Sequence, residues 1–473
     1  MTPDEFRRHG HAVIDWIADY RSRVASYPVM STAEPGVLRA ALPAEAPEQG
    51  EAFEAILADM DRLIVPALTH WQHPDFFAFF PSNGELASVL GDFLSTGLGV
   101  LGLSWQACPA LTEVEEVATS WLRRAMALSD AWNGVIADTA STSSLIALIC
   151  AREKTTGDAF DRGGLASEDR PLAVYCSEQS HSSVEKAALL AGFGRAYVRR
   201  IPVDAAFAMR PDALAEGIAA DRAAGIAPCA VVATTGTTAT TAIDPLAEIA
   251  AIARKEDLWL HVDAAMAGSA MILPECRALW NGIEDADSVV VNPHKWLGAA
   301  FDCSVYYVRD PDRLVRVMST NPSYLRSAVD EKVTNYRDWG IPLGRRFRAL
   351  KLWCLLRSEG LEKLRARIRR DIENARWLAE QVSARREWKV LAPVPLQTVC
   401  VRHEPNGLSG KELDRHTRSW AERVNRSGAA YVTPAVLDGR WMVRVSIGAL
   451  PTERSHVERL WRTLVAEAEA FRN

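Results

Sequence analysis

A lysine and an aspartate each follow an apolar run in an arrangement that suits one kind of covalent catalysis. Lys295 lies in the motif Asn-Pro-His-Lys-Trp at 292–296, just after the apolar residues 288–291, and Asp263 ends an earlier apolar run. A lysine amine can hold an aldehyde as a Schiff base, and a carboxylate can keep a pyridine nitrogen protonated so that the ring draws electrons. Taken singly, each residue is more typical of a solvated strand end or a helix cap.

Two further segments carry groups that bind a phosphate or a flat ring. Small hydroxyl residues occupy 139–144, between the apolar residues 134–136 and a helical pattern at 145–152. Backbone N–H groups at such a helix start can approach a phosphate closely, and the helix dipole favours its charge. An ordinary helix cap is the alternative. His181 follows the strand-like residues 172–176, and it can either stack on a cofactor ring or cap the next helix.

A threonine-rich turn completes the set, and these segments share one position in the predicted topology. Residues 233–238, Ala-Thr-Thr-Gly-Thr-Thr, close the apolar run 229–232, and their hydroxyls can bond a cofactor or the backbone. Each segment stands at the carboxyl end of a predicted strand in a chain that alternates strand and helix patterns. That edge is where ligands bind in open α/β sheets. Together the segments predict a pyridoxal phosphate enzyme.

The chain resembles the group II pyridoxal phosphate-dependent decarboxylases, and within them the aromatic L-amino acid decarboxylases, including those of the bacterial DOPA decarboxylase type. The likeness spans nearly the whole sequence and rests on separated motifs in the family's order. They are His-Trp-Gln-His-Pro at 70–74, Phe-Phe-Pro-Ser at 79–82, His-Val-Asp-Ala-Ala at 261–265, Asn-Pro-His-Lys-Trp at 292–296, Asn-Pro-Ser-Tyr-Leu at 321–325 and Gly-Arg-Arg-Phe-Arg at 344–348. The resemblance implies the α/β fold of type I PLP-dependent transferases, with a mainly parallel sheet covered by helices on both faces.

The resemblance also assigns a role to each matching residue. It makes Lys295 the Schiff-base lysine and Asp263 the partner of the ring nitrogen, with His181 and Ala265 on the two ring faces. Tyr324 matches a tyrosine that supports proton delivery in the family. The other implied cofactor contacts are Ala140, Ser141, Thr238, Asn292 and His294. The implied substrate pocket comprises Trp71, Phe79, Phe80, Pro81, Ser82, His294 and Phe301, with Leu101 and Leu103 supplied by the partner subunit.

The implied reaction is the decarboxylation of aromatic L-amino acids to amines and CO2, with L-DOPA the favoured substrate. Met266 and Phe79 stand where animal members have tyrosines, so binding of an aromatic ring is expected more than recognition of catechol hydroxyls. Ser269 resembles a serine that accompanies phenolic substrates in plant members. Tyrosine, phenylalanine, tryptophan and 5-hydroxytryptophan stay open as substrates.

Three other functions compete with this one. An aromatic acetaldehyde synthase of the same family would consume oxygen and release ammonia and peroxide, and Tyr324 in place of phenylalanine argues against it. Trp71, Phe79 and Phe80 argue against a decarboxylase of acidic substrates such as glutamate. The intact residue set around Lys295 argues against a non-enzymatic relative that has kept only the fold.

The composition of the chain indicates which binding partners and which cellular compartment to expect. The chain has 473 residues, of which 48% are hydrophobic, enough for about three domain-sized units. Its 54 basic and 60 acidic residues give a formal charge of −6, so a nucleic acid partner is not expected. The 8 cysteines are scattered singly, which predicts no zinc site or disulfide framework and a reducing cytoplasm. Neither a signal peptide nor a membrane-spanning run is recognisable.

Three regions are predicted along the chain. Residues 1–85 form an N-terminal helical dimerisation segment, which opens on a capping-box pattern at Thr2 and Glu5. Because such a segment has little core of its own, we expect it to pack on a second copy in an obligate homodimer. Residues 86–350 form the large PLP-binding α/β domain, and 351–473 a small α+β domain with strands at 397–402 and 441–447. The basic run 365–370 is predicted to be a solvated helix face.

Overall fold

A computed structural model describes residues 1–320 and 329–470. The helices are α1 Pro3–Arg23, α2 Val37–Ala41, α3 Phe53–Asp59, α4 Leu86–Leu98, α5 Pro109–Ala125, α6 Ala140–Thr156, α7 Ser182–Leu190, α8 Pro211–Ala223, α9 Leu246–Lys255, α10 Pro311–Met318, α11 Ala349–Ser383, α12 Gly410–Arg426 and α13 Arg454–Glu469. The strands are β1 Asn133–Ala137, β2 Leu172–Ser177, β3 Val198–Ile201, β4 Ala227–Thr234, β5 Trp259–Asp263, β6 Ser288–Val291, β7 Ser304–Val308, β8 Trp388–Val390, β9 Thr398–His403, β10 Thr433–Leu437 and β11 Arg440–Ser446.

The chain is divided into two compact units. The larger unit comprises Ser82–Ile372 and Ala392–Thr398, and the other comprises Met1–Pro81, Glu373–Leu391 and Val399–Asn473. The second unit is therefore assembled from both ends of the chain. The three-part division at 1–85, 86–350 and 351–473 stays a prediction.

The larger unit contains the predicted, mainly parallel sheet. Its strand order is β1-β7-β6-β5-β4-β2-β3. Neighbours from β6 through β3 pair in parallel, whereas β7 runs antiparallel to both β1 and β6. Strand β1 consequently runs in the same direction as the parallel strands. The carboxyl ends of all these strands except β7 meet at one edge, as the sequence predicted.

Continuous apolar sequence explains why this sheet is covered on both faces. Every residue of β2, β4, β5, β6 and β7 is buried, which is typical of parallel sheets between helical layers. Helices α6 and α7 pack on the sheet through residues such as Ile146 and Val184, which share one core cluster with Val174 and Val232 of the strands. This packing fixes the amino ends of both helices beside the sheet edge.

The other unit contains a small antiparallel sheet. Its order is β10-β11-β9-β8, and β9 and β11 confirm the strands expected near 397–402 and 441–447. Strand β10 was not predicted, because Pro434 interrupts its pattern. An edge strand tolerates proline since its outward N–H groups have no ladder partner. Helix α1 begins as expected, with the Thr2 side chain accepting from the Glu5 N–H and the Glu5 carboxylate accepting from the Thr2 N–H.

Candidate active site

The segment that carries Lys295 is held at its backbone. It follows β6 as a single π-helical turn, Pro293–Leu297, in which Lys295 has non-helical angles (φ −95°, ψ −110°). Asn83 donates from Nδ2 to the Lys295 carbonyl at 3.1 Å and from its backbone N–H to the His294 carbonyl at 3.2 Å. With both carbonyls fixed, the lysine leaves the sheet edge from a defined position.

Helix α11 holds the next residues of the same segment. Arg367 Nη2 donates to the Trp296 carbonyl at 3.0 Å and to the Leu297 carbonyl at 2.7 Å, while the Trp296 indole donates to Asp371 Oδ2 at 2.9 Å. Arg367 and Asp371 are both buried. The prediction that 365–370 is a solvated face is therefore wrong for Arg367, whose charge is compensated by buried carbonyl groups and a nearby carboxylate. Sequence reasoning missed this contact, and it also missed Asn83.

Asp263 lies at the same edge, at the end of β5. Its side chain is buried, and Oδ1 accepts from the Ala265 N–H at 3.0 Å. Ala265 forms a small apolar cluster with Ala140 and Val290, and its carbonyl accepts from the Asn292 N–H at 2.9 Å. Ala140 of α6, Ala265 after β5 and Asn292 after β6, all predicted as cofactor contacts, thus come together in space.

His181 has one of its two predicted roles in the structure, and stacking on a cofactor ring stays a prediction. It is the N-cap of α7, where Nδ1 accepts from the Ser183 N–H at 3.2 Å. A ring that accepts at Nδ1 carries its proton on Nε2 when neutral. Partial burial lowers the pKa of His181, and the Lys295 charge lowers it further while the Asp263 charge opposes the shift. With its pKa lowered, the His181 ring is neutral at neutral pH.

The amino end of α6 has the features of a phosphate site. Thr139 stands at the N-cap, but its side chain makes no capping hydrogen bond, and the first turn contains no acidic residue. Ala140 is buried and Ser141 is exposed at the first turn. Nearby, Asn292 Oδ1 accepts from Ser304 Oγ at 2.6 Å. This bond fixes the orientation of the amide, so that its Nδ2 group points away from Ser304 as a donor.

The threonine-rich turn uses its hydroxyls mainly within the protein. Thr235 Oγ1 accepts from the Trp280 indole at 3.0 Å, and Thr237 Oγ1 accepts from the Ala242 N–H at 3.0 Å. Thr238 is exposed in the turn after β4. Gly236 is required here: its φ is +89°, and a Cβ would lie 2.4 Å from Ala267 Cβ.

His294 directly precedes Lys295 in the sequence, and the Lys295 charge acts on its ring. Its Nδ1 accepts from the Cys303 N–H at 2.9 Å. Burial, reinforced by the Lys295 charge, lowers the pKa of His294 to about 3. Its ring makes an edge contact with Phe301 at 4.8 Å between centroids, and Phe301 is 61% exposed. The following residue, Asp302, accepts two hydrogen bonds from a single arginine of the 344–348 motif.

The remaining predicted pocket residues are divided between the units. In the unit that contains both chain ends, Trp71 and Phe79 stack at 5.6 Å between centroids, Phe80 is partly buried and Pro81 is buried. Ser82 begins the larger unit, in which Leu101 is exposed and Leu103 is partly buried. Tyr324 lies outside the described residues.

The residues at the sheet edge fit pyridoxal phosphate. Its phosphate suits the amino end of α6, where Thr139 makes no capping hydrogen bond, its pyridine nitrogen suits the buried Asp263 carboxylate, and its aldehyde suits the Lys295 amine. Among residues 1–320 and 329–470, no cluster of three His, Cys, Asp or Glu side chains could hold a metal ion.

Comparisons with known proteins identify relatives over the full chain. A model of the pyridoxal-dependent decarboxylase conserved domain matches residues 35–404. Tyrosine decarboxylase 4 of Petroselinum crispum is 41% identical over 485 aligned residues, covering 100% of this chain and 94% of that protein. Phenylacetaldehyde synthase of Arabidopsis thaliana is 39% identical, with 99% and 96% covered. The solved structure of Oryza sativa TDC with PLP and tryptamine is 36% identical, with a TM-score of 0.97, and the match covers 100% of this chain and 99% of that one.

Proposed function

The chain belongs to the pyridoxal-dependent decarboxylases, and we propose that within this family it prefers phenolic substrates, L-tyrosine and L-DOPA, over L-tryptophan. Its fold is that of the type I PLP enzymes, its cofactor is pyridoxal 5'-phosphate, and its activity is that of a carboxy-lyase acting on aromatic L-amino acids. The proposal concerns which aromatic ring is preferred.

A buried serine hydroxyl carries this proposal. Ser269 lies in the 3₁₀ segment Ala267–Ile272, a few residues after Asp263, and it is fully buried. Within the described part of the chain its Oγ has no hydrogen-bond partner. A buried polar group without a partner is costly unless it serves a ligand or a water molecule, and a phenol hydroxyl would be such a ligand. The name of the tyrosine decarboxylase relative agrees with this preference.

An amine-product assay tests the preference directly. We expect kcat/KM for L-tyrosine and L-DOPA to exceed that for L-tryptophan by about tenfold, the effect of one hydrogen bond to a buried group. Ser269→Ala should reduce this ratio, whereas Ser95→Ala, which changes another buried serine of the larger unit, should leave it unchanged. A ratio that is insensitive to Ser269→Ala would contradict the proposal.

The site residues take distinct proposed roles. Bound pyridoxal phosphate supplies an electron-withdrawing ring that accepts the bonding electrons as CO2 departs. Lys295 would hold the cofactor through its aldehyde, Asp263 would favour the protonated form of the ring nitrogen, and His181 would offer a flat neutral imidazole to the ring. Tyr324 is proposed, from the sequence resemblance, to deliver the proton that replaces CO2.

Amine formation is proposed over aldehyde formation. Relatives include both a tyrosine decarboxylase and a phenylacetaldehyde synthase, so overall similarity does not separate the two outcomes. The presence of Tyr324 rather than phenylalanine supports the amine. Product analysis under air should give amine with little peroxide, and stoichiometric peroxide would reverse the assignment.

A homodimer is proposed from the orientation of α4. Its buried face carries the small residues Ser88, Gly91 and Ser95, and a Cβ on Gly91 would lie 2.6 Å from a backbone carbonyl. Its large apolar side chains point outward instead, and Leu86, Leu90, Phe93, Leu94 and Leu98 are 44–59% exposed. A row of exposed apolar side chains is typical of a subunit interface, and a second copy is its commonest partner.

Sedimentation at assay concentration tests the homodimer. We expect a dimer, and Leu94→Glu should convert it to a monomer without activity. An active wild-type monomer would exclude the dimer requirement. None of the 8 cysteines, all of which the structure describes, forms a disulfide bond, which supports the further proposal of a reducing, cytoplasmic setting.

A further inference from the structure

Phe79 has a backbone conformation that aromatic residues rarely adopt. Its φ is +48°, in the left-handed region that favours glycine or asparagine. Phe79 lies in the unit that contains both chain ends. The sequence has phenylalanine at this position and not the glycine that its φ favours. Strained residues of this kind persist only where the surrounding structure holds them, and they are frequent at functional sites.

Two side chains hold both backbone groups of Phe79. Thr433 of β10 and Arg444 of β11 are directly paired across the antiparallel ladder. Thr433 Oγ1 accepts from the Phe79 N–H at 2.9 Å, and Arg444 Nη1 donates to the Phe79 carbonyl at 2.5 Å. We call these two residues the Phe79 clamp. The Thr433 hydroxyl and the Arg444 guanidinium thus bond the two backbone groups of Phe79 that a neighbouring strand would bond in a β-sheet.

The arginine of the clamp is deeply buried. Arg444 is 2% exposed, and its guanidinium lies 4.3 Å from the centroid of the Phe80 ring. Burial lowers the pKa of Arg444 to about 10, so it stays charged at neutral pH. Among the described residues, Nε and Nη2 have no hydrogen-bond partner. The hydrogen bond to Phe79 and the contact with Phe80 are therefore the interactions that this buried charge makes there.

The clamp holds the backbone of a residue whose ring is exposed and not part of the hydrophobic core. Phe79 is 45% exposed and stacks on Trp71, which is 37% exposed. Tyr431 supports the Phe79 ring from the side, at 5.8 Å and 79°. Two parallel aromatic rings left exposed on a strained backbone gain little from burial in the folded chain, so their placement is better explained by an aromatic ligand.

We propose that Thr433 and Arg444 are positioning residues that fix Phe79 in its left-handed conformation, so that the Phe79–Trp71 pair binds the aromatic ring of the substrate in a preformed geometry. This inference rests on the proposed function and on the sequence resemblance, which implies that Phe79 and Trp71 belong to the substrate pocket. The clamp contributes to substrate binding through Phe79 and takes no part in bond breaking.

Steady-state kinetics of the holoenzyme on L-tyrosine test the clamp. Thr433→Val removes the acceptor at constant shape and should raise KM about three- to tenfold, the effect of one lost hydrogen bond, with kcat changed less than about twofold. Thr433→Ser keeps the acceptor and should restore the wild-type KM. Arg444→Met should act as Thr433→Val does, whereas Arg440→Met, on the exposed end of the same strand, should have no effect. Thermal unfolding and cofactor absorbance exclude a general loss of structure, and Thr433→Val carries the test if Arg444→Met does not fold.

A double-mutant comparison decides whether the clamp acts through Phe79. Phe79→Gly removes the ring and tolerates a positive φ, so it should raise KM by itself, and adding Thr433→Val should raise it no further. Equal effects of Thr433→Val with Phe79 and with Gly at 79 would overturn the proposal. So would an unchanged KM in Phe79→Gly, or a fall in kcat alone. A preference for L-tryptophan would refute only the proposed substrate, because the same KM ratios can be measured on that amino acid.

Discussion

Lys295 and Asp263 are placed by the ends of two neighbouring parallel strands. Strands β5 and β6 pair with Asp263 opposite Val290, so the acid and the segment that carries the lysine leave the sheet side by side. Burial is the main cause of the lowered pKa of His181, which the Asp263 charge opposes and the Lys295 charge reinforces. One edge of the sheet therefore offers an amine, a carboxylate and a neutral imidazole.

Replacing Lys295 tests the covalent role. Lys295→Ala should abolish the absorbance of covalently bound cofactor and reduce turnover by about a thousandfold or more, because alanine offers no amine. Lys255→Ala, which removes an exposed lysine of the same unit, should leave both unchanged. Borohydride reduction and peptide mapping identify the labelled lysine, and a label elsewhere would refute the assignment.

Replacing Asp263 tests the electrostatic role. Asp263→Asn removes the charge proposed to face the ring nitrogen and should reduce kcat by about a hundred- to a thousandfold, while most of the cofactor stays bound. Asp287→Asn is the matched control, since that carboxylate accepts from the Leu260 N–H at 2.7 Å at the opposite end of the same strands. It should reduce stability and leave kcat nearly unchanged. Equal losses of kcat in both variants would argue against a special role for Asp263.

These site residues were predictable because they occur together at the carboxyl ends of several strands that meet at one edge of the sheet, whereas their supporting residues were not. Asn83 and Arg367 hold the lysine segment through its backbone carbonyl groups. Every residue has such a carbonyl, so no sequence motif shows which one a distant side chain will bond. The signal for Arg367 was its place on α11. It is three residues after Leu364 and four before Asp371, both buried, so helical periodicity places it on the inner face despite the surrounding basic residues.

Helix α11 supports the segment after β6. Arg367→Met should lower the free energy of unfolding by about 3 kcal/mol, because two carbonyl groups lose a charged donor, and should weaken cofactor binding. Arg369→Met removes an exposed arginine that pairs with Glu275, so it should cost less than about 1 kcal/mol. Denaturant unfolding and cofactor titration measure the two effects. Tight cofactor binding in Arg367→Met would show that the lysine segment does not need this support.

The larger sheet was predictable from the sequence, whereas the set of segments that forms the second unit was not. Alternating apolar runs and helical patterns indicate parallel strands with covered faces. The absence of a helix-length pattern between Val291 and Ser304 was also a signal that β7 runs antiparallel, since a parallel neighbour needs a long crossover. Contacts such as Arg459 with Asp75, at 2.9 Å, join residues far apart in sequence, and no periodicity reveals such partners.

Acid stability depends on the buried histidine beside the lysine. The unfolded chain takes up a proton at His294 near pH 6.5, but the folded chain does so only at a pKa of about 3. His294 therefore stabilises the fold fully above pH 6.5, and this contribution is lost as the pH falls from 6.5 toward 3, by about 1.4 kcal/mol per pH unit. Between pH 7 and pH 5 the wild type should lose about 2 kcal/mol more unfolding free energy than His294→Gln. The exposed His11 provides the control His11→Gln, which should follow the wild type. Parallel pH profiles for wild type and His294→Gln would mean that the folded protein protonates His294 as readily as the unfolded chain does.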